Sequence, residues 1–515
     1  MFTIKSVSRM FSVLLVVMFL LTGFLPAQAE SLASPLYASG DFVWAKSMGG
    51  ASYDYGNSIA VDSSSNVYTT GYFRDTADFD PSVSTYNLTS AGGDDIFVSK
   101  FDSNGNFVWA KRMGGTSGDY GNSIALDTSG NVYTMGNFYG TVDFDPGANT
   151  ANLTSAGGYD FFVSKLDSSG NFVWAKRMGG TDYDYGNGIT LDSSGNVYTT
   201  GCFLLTADFD PGASTFNLTS AGGYDIFVSK LDSSGNFVWA KSMGGTSIDV
   251  GYSDEGYSIA VDSSGVYTTG RFYNTADFDP DNVGISNLTS AGSHDIFVSK
   301  LGSSGNFLWA KSMGGEYDDR GYGIALDTSG NVYTTGNFVV TADFDPSVNI
   351  FKLTSVGVGD IFVSKLDSSG NFVWAKNMGG LIYDYGYGIA VDSSDNVYTT
   401  GLFGETADFD PGTGTADLTS AGGDDIFVSK LDSSGNFVWA KRMGGTDYDR
   451  GYGVAVDSSG NVYTTGDFLG TADFDPGAGT ANLTSAGLAD IFVSKLGNDG
   501  AAPTVYNLFL PLILR

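Results

Sequence analysis

The sequence predicts an all-β chain folded as a single closed ring of seven blades, each of four antiparallel strands. Three observations carry this. One sentence of residues, DIFVSKLDSSGNFVWAKRMGGTDYDRGYGVAVDSSGNVYTTG in one copy, recurs seven times. The seven tryptophans, Trp44, Trp109, Trp174, Trp239, Trp309, Trp374 and Trp439, fall at one point in it, spaced 65, 65, 65, 70, 65 and 65 residues apart. Each period holds four strand-like runs bounded by turn residues, and no segment shows a capped helical period. A fixed period of this size marks one supersecondary unit stacked on copies of itself.

The elements follow in order. Residues 1–29 read as a signal peptide: Lys5 and Arg9, a mostly apolar run over 11–24, and an Ala-x-Ala site at 27–29. Cleavage near Ala29 makes the mature chain secreted, extracellular or cell-surface attached. It also removes two positive charges and takes the net charge from −32 to −34. The competing reading is an uncleaved anchor helix, against which the short apolar core and the cleavage site stand. Residues 30–40 are an N-terminal linker, 41–498 the seven repeats of about 65 residues, and 499–515 a linker and apolar C-terminal tail. The tail is too short for a bilayer, which takes about 20 residues, and Pro511 argues against a helix. It is either a terminal strand packed on the ring or a sorting or anchoring tail, and it resembles the short Leu-Pro-Leu-x-Leu-Arg ends of some secreted bacterial proteins. No membrane span is expected in the mature chain, and the ring is expected to be monomeric.

In the second unit the runs are 123–127, 132–136, 161–165 and 172–176, termed a, b, c and d. The a–b and c–d connections carry Asp-x-Ser-Gly-Asn, in which Asp bonds the following amides and Gly supplies positive φ. Four antiparallel strands per unit and seven units make a β-propeller. The repeats begin with a d strand, 42–46, and end with a c strand, 490–495. The first d strand should therefore complete the last blade and close the ring, removing the exposed edges of an open sheet. One tryptophan per blade at one position reads as inter-blade packing, rather than as a platform for stacking sugars.

Composition narrows the function. A net charge of −32 leaves nucleic acid and anionic membranes as poor partners. One cysteine, Cys202, and one histidine, His294, exclude an intramolecular disulfide, His/Cys zinc sites and repeated Ser-His-Asp or Cys-His catalysis. Cys202 and His294 stand where other copies have different residues, so neither belongs to the frame.

The a–b and c–d turns are nearly invariant, whereas the copies differ in the b–c and d–a connections on the other face. After strand b they read Arg74-Asp75, Tyr139-Gly140, Leu204-Leu205, Tyr273-Asn274, Val339-Val340, Gly404-Glu405 and Leu469-Gly470. The fourth d–a loop, 246–256, carries extra residues, including Asp249, Tyr252, Asp254 and Glu255, the candidate binding-face loop. Binding usually lives on loops held by a rigid scaffold.

Every b–c excursion contains Asp-Phe-Asp-Pro. The first acids are Asp78, Asp143, Asp208, Asp277, Asp343, Asp408 and Asp473. The second acids are Asp80, Asp145, Asp210, Asp279, Asp345, Asp410 and Asp475. The proline keeps the triplet extended, so the two carboxylates point one way and the Phe the other, buried as an anchor. Alternating oxygens suit Ca²⁺ and make all fourteen acids candidate ligands; the alternative is that they cap turns. The d–a loops add Asp54, Asp119, Asp184, Asp319, Asp384 and Asp449, each two residues before a Gly. A paired acid and base for glycoside hydrolysis is a further reading, but seven equivalent pairs supply no environment that splits two pKa values. The Asn-Leu-Thr triplets at Asn87, Asn152, Asn217, Asn287 and Asn482 owe their repetition to the Leu, an apolar contact under the loop.

The string SKLDSSGNFVWAK…GG…DYG…GIAVDSSGNVYTTG…TADFDPG…NLTSAGG.DIFVSK resembles the bacterial SBBP repeat, a seven-bladed β-propeller family, over about 460 residues. The resemblance implies an extracellular bacterial protein and no defined activity. The Asp-Ser-Ser-Gly-Asn-Phe-Val-Trp hairpin is also similar to sialidase Asp boxes and quinoprotein tryptophan-docking motifs. Both are structural and differ in spacing, so they imply no reaction. The expectation is a non-catalytic scaffold that binds an extracellular protein or glycan on the b–c/d–a face, with Ca²⁺ as a candidate stabiliser. The alternatives are a secreted polysaccharide hydrolase or lyase using loop carboxylates, and a passive envelope protein.

Overall fold

The computed structural model describes residues 40–247, 253–281 and 284–498. The expected signal peptide, nearly all of the N-terminal linker, the C-terminal tail, and Asp249 and Tyr252 lie outside the described residues. Among those described, the regular elements are all strands.

Strand β1 is Phe42–Gly50, β2 is Tyr55–Val61, β3 is Val67–Asp78, β4 is Asn87–Phe101 and β5 is Phe107–Gly115. β2, β3, β4 and β5 pair antiparallel in that order and are the a, b, c and d strands of the first unit. The b strand is buried on both faces, because a neighbouring unit covers each side. Val67, Tyr68, Thr69 and Thr70 are therefore all buried, and apolar and polar residues do not alternate in and out. Its hydroxyls are satisfied internally: Thr70 Oγ1 donates to Phe97 O at 2.8 Å, and Thr69 Oγ1 and Ser99 Oγ lie 2.6 Å apart.

The same pairing recurs along the chain. β1 pairs with Asn482–Leu496, with Met48 opposite Ile491, beside Val462–Asp473 and Asp449–Val456. The turn that joins this last c strand to β1 is assembled from the two ends of the repeats. Gly40 N donates to Gly497 O at 3.1 Å, and Gly497 N donates to Asp41 O at 2.7 Å. The a strands stand side by side: β2 lies against Tyr120–Leu126 and, on its other side, against Asp449–Val456.

The turns follow the sequence reading. Asp62 Oδ1 accepts the amides of Ser64 and Asn66 at 2.8 and 2.9 Å, and Oδ2 accepts the Asn66 side chain and the Tyr68 hydroxyl. Burial opposes this charge, but these donors outweigh it and hold the Asp62 pKa below its ordinary value. Trp44 meets Tyr463 edge-on at 6.2 Å and 60°. Gly105, in the c–d turn of the first unit and at φ 77°, seats against the same indole, where an added Cβ would stand 2.8 Å from the ring. The indole thus packs between adjoining units.

The expected strands were too short at two places. The d strands continue through Gly-Gly, and the b–c excursion is itself a β-ribbon. Gly49 and Gly50 of β1 pair with Asp78 and Ala77 of β3, a second ladder that joins one unit to the next. An added Cβ at Gly50 would stand 2.2 Å from the Thr76 carbonyl, so this contact needs glycine. The Gly pair reads as a turn in sequence because that backbone approach is invisible there.

Candidate ligand-binding face

The b–c and d–a loops are built on buried carboxylates. Asp54 Oδ2 accepts Gly50 N at 2.7 Å and Oδ1 accepts Arg74 N at 3.0 Å, so one side chain ties the d–a loop to the b–c kink. Asp119, Asp184, Asp319, Asp384 and Asp449 repeat the arrangement. The seventh member is Asp254, which accepts Gly245 N and Tyr273 N, both at 2.8 Å. Asp254, expected among the variable binding residues, is 4 % exposed and part of the frame. The extra residues before it shift it out of sequence register. Burial raises these acids, to about 6 for Asp54, about 7 for Asp119 and Asp254, and about 8 for Asp319.

The Asp-Phe-Asp-Pro carboxylates, the candidate Ca²⁺ ligands, cap turns. Asp78 Oδ1 accepts the amides of Asp80 and Tyr86 at 3.0 and 2.8 Å, and Asp80 Oδ1 accepts that of Ser82 at 3.0 Å. The first acids Asp143, Asp208, Asp277, Asp343, Asp408 and Asp473 likewise each accept two loop amides. The second acids each accept one loop amide, from the residue two positions on. Asp145 accepts Gly147 N, Asp210 accepts Gly212 N and Asp279 accepts Asp281 N. Asp345 accepts Ser347 N, Asp410 accepts Gly412 N and Asp475 accepts Gly477 N.

Among the described residues, no group of three or more His, Cys, Asp or Glu side chains is placed to hold a metal ion. Asp80, Asp145, Asp210, Asp279, Asp345, Asp410 and Asp475 each turn one oxygen onto the backbone of their own loop. Phe79 is fully buried, edge-on to Phe73 at 5.3 Å.

A second buried acid opens the core of each c strand: Asp95, Asp160, Asp225, Asp295, Asp360, Asp425 and Asp490. In every one Oδ1 has no hydrogen-bond partner. Three are neutralised by arginine, with Arg112, Arg177 and Arg442 Nη1 at 2.6, 2.7 and 2.6 Å from Oδ2 of Asp95, Asp160 and Asp425. At the equivalent place beside Asp225, Asp295 and Asp490 the chain has Ser242, Ser312 and Ser47. Burial pushes Asp160 to about 6 against the pull of Arg177, but Asp225 to about 8.

The variable residues occupy two strained or bulged positions. The second residue after strand b is left-handed in all seven units: Asp75, Gly140, Leu205, Asn274, Val340, Glu405 and Gly470 have φ between 52° and 79°. A bulge in each a strand aims one residue into a central cavity of about 190 Å³. That residue is Asn57, Asn122 or Asn187 in three units and Tyr257, Tyr322, Tyr387 or Tyr452 in four. The asparagines close against the next unit, with Asn57 Nδ2 donating to Gly121 O at 2.9 Å.

Outward from this mouth lies an aromatic surface. Tyr53 and Tyr55 stack at 6.2 Å, Tyr183 and Tyr185 at 6.3 Å, and Tyr383 and Tyr385 at 5.9 Å. Tyr53, Tyr183, Tyr383 and Tyr448 are 47, 47, 44 and 56 % exposed. One polar cluster, across the fourth and fifth units, interrupts it. Arg271 Nη2 donates to Glu255 Oε1 at 2.9 Å, and Ser253 Oγ donates to the same carboxylate. His294 Nδ1 lies 3.3 Å from Asp318 Oδ1, and Arg320 Nε donates to Asp318 Oδ2 at 3.0 Å. Burial opposes the Asp318 charge, yet His294 and Arg320 outweigh it and hold this carboxyl well below the usual range. Glu255 is thus in the asymmetric site. Sequence reading missed Arg271, Asp318 and Arg320, and it left His294 without a role. The signal available was that four departures from the repeat fall in adjoining units.

A profile of the SBBP β-propeller repeat matches residues 43–72, 108–137, 173–201, 301–337, 373–402 and 438–467. The chain thus carries six matches to the SBBP β-propeller repeat. Among curated proteins it is similar to an uncharacterized WD repeat-containing protein of Acanthamoeba polyphaga mimivirus, 25 % identical over 506 residues, covering 83 % of this chain and 36 % of that one. It is also similar to the regulatory protein FlaEY of Caulobacter vibrioides, 25 % identical over 437 residues, covering 80 % of this chain and 43 % of that one. The chain therefore spans less than half the length of either relative. Among solved structures, Sqt1 from Chaetomium thermophilum is 11 % identical with a TM-score of 0.40, covering 90 % of this chain and all of that one.

Proposed function

We propose that this protein is a secreted or cell-surface scaffold, a single seven-bladed propeller closed by β1, that binds an extracellular partner through its b–c/d–a loop face without catalysis. One observation carries the reading: one face gathers exposed tyrosines that recur in four units and the one charged cluster that departs from the repeat. The side-by-side a strands and the pairing of β1 with Asn482–Leu496 support the closed ring. The leader-like residues 1–29 support secretion. Against catalysis, the Asp-Phe-Asp-Pro acids are occupied alike in all units, and Glu255 and Asp318 are each ion-paired to arginine. The test has two arms. Expression in a bacterial host should yield extracellular chain beginning after Ala29. A glycan and extracellular-protein binding screen should give ligands that a Tyr183→Ala, Tyr383→Ala, Tyr448→Ala variant loses. Ligands retained by that variant would move the site elsewhere.

A further inference from the structure

We propose that the loop face of the sixth and seventh units receives a lysine- or arginine-rich segment of a partner protein. This rests on the binding reading above and names the partner's chemistry.

The frame itself holds seven small receptors for an ammonium group. In every unit a c-strand lysine lies over a b-strand tyrosine, Lys165 Nζ 4.7 Å from the Tyr133 centroid and 3.8 Å from Asp127 Oδ2, for example. An aromatic face beside a carboxylate attracts a cation both through the ring quadrupole and through charge. All these lysines sit at the a–b and c–d turns. The d-strand lysines do the same: a Cβ added at Gly40, in a c–d turn, would stand 2.7 Å from Lys441 Cε. Every lysine of the sixth and seventh units, Lys430, Lys441, Lys495 and Lys46, takes one of these two positions.

The opposite face of those units has the same receptor chemistry and no lysine to fill it. Tyr383 and Tyr385 present parallel rings 5.9 Å apart, inclined by 22°. Asp449 N donates to Asp424 O at 2.8 Å, which sets half-buried Asp424 beside the exposed pair Asp447 and Tyr448. Toward the mouth, Asp467 is 3 % exposed and its Oδ1 has no hydrogen-bond partner. Among the described residues, the two arginines nearby are engaged, Arg450 with Tyr452 and Asp467 and Arg442 with Asp425. With 57 acidic against 25 basic residues in the chain, the field steers a basic segment toward this strip and repels an acidic one.

The test is fluorescence anisotropy of a labelled dodecalysine peptide with the purified chain, at low and high salt. Binding that salt weakens is expected. Asp424→Asn with Asp447→Asn, and separately Tyr383→Ala with Tyr448→Ala, should each weaken it about tenfold or more. Asp41→Asn with Asp395→Asn removes the same charge at the c–d and a–b turns of the opposite face and should leave it nearly unchanged. No binding, or equal weakening by all three double variants, overturns the proposal. Should the tyrosine variant instead lose only a neutral glycan, the basic partner is wrong while the loop-face reading stands. If it loses no ligand at all, the loop-face reading fails as well.

Discussion

Replacing Ser242 by arginine should stabilise the protein in a pH-dependent way that its own sister units calibrate. Asp225 is 3 % exposed and, among the described residues, accepts Ala221 N at 2.9 Å with no cation beside it. Asp160, in the equivalent place, accepts Arg177 Nη1 at 2.7 Å. The pKa values of the two acids are about 8 and about 6, and both are raised first by burial. A difference of two units corresponds to about 2.7 kcal/mol once both are ionised. The folded-state pKa of Asp225 lies above its unfolded value, so the folded chain holds that proton more tightly. Its contribution is complete below about pH 4 and is lost as pH rises through about 8. Ser242→Arg should therefore add about 2 to 3 kcal/mol at pH 8 and almost nothing at pH 5. Over roughly 450 residues the unfolding entropy is about 1 kcal/mol per kelvin, so Tm should rise about 2 to 3 °C at the higher pH. Thermal unfolding of both chains at pH 5 and pH 8 measures it. An equal gain at both pH values, or none at pH 8, would refute the reasoning that Asp225 is an uncompensated buried acid.

Three further outcomes are expected. Val340, β-branched at φ 63°, should be improved by Val340→Gly: relief of about 1–2 kcal/mol of left-handed strain exceeds glycine's backbone cost of about 0.5–1 kcal/mol, and urea unfolding would show the net gain. Deleting residues 40–50 uncovers the edge of Asn482–Leu496, so size-exclusion chromatography should show more association than for the intact chain. Because one oxygen of each Asp-Phe-Asp-Pro acid is committed to backbone amides, Tm should be the same with Ca²⁺ and with chelator, and a clear rise with Ca²⁺ would show these acids holding the ion.

What could be read from sequence was whatever repeats in register. The Asp-Ser-Ser-Gly-Asn turns announce themselves because Asp62 and its counterparts bond residues two and four positions on. A chain that starts on a d strand and ends on a c strand implies the pairing of Phe42–Gly50 with Asn482–Leu496. Burial of Phe79 follows from the extended triplet. Whether Asp78 and Asp80 face an ion or their own loop amides is not legible, because the spacing that suits one suits the other. Contacts made across units were hidden. The Gly49–Asp78 ladder depends on a backbone approach that a glycine pair does not advertise. Asp254 was masked by the extra residues before it. His294 and Asp318 lie in separate connections, and only the adjoining c strand and d–a loop bring them within 3.3 Å. Function was least legible, because a site made of departures from a repeat has no pattern of its own.

The central claim, that the loops bind while the turns hold the frame, is tested most directly by hydrogen exchange with and without a bound ligand from the screen. The account expects protection confined to the d–a and b–c loops, in segments such as 381–387 and 446–452, with the Asp62–Asn66 and Asp102–Asn106 turns unchanged. Protection centred on those turns, with the loops unaffected, would contradict it.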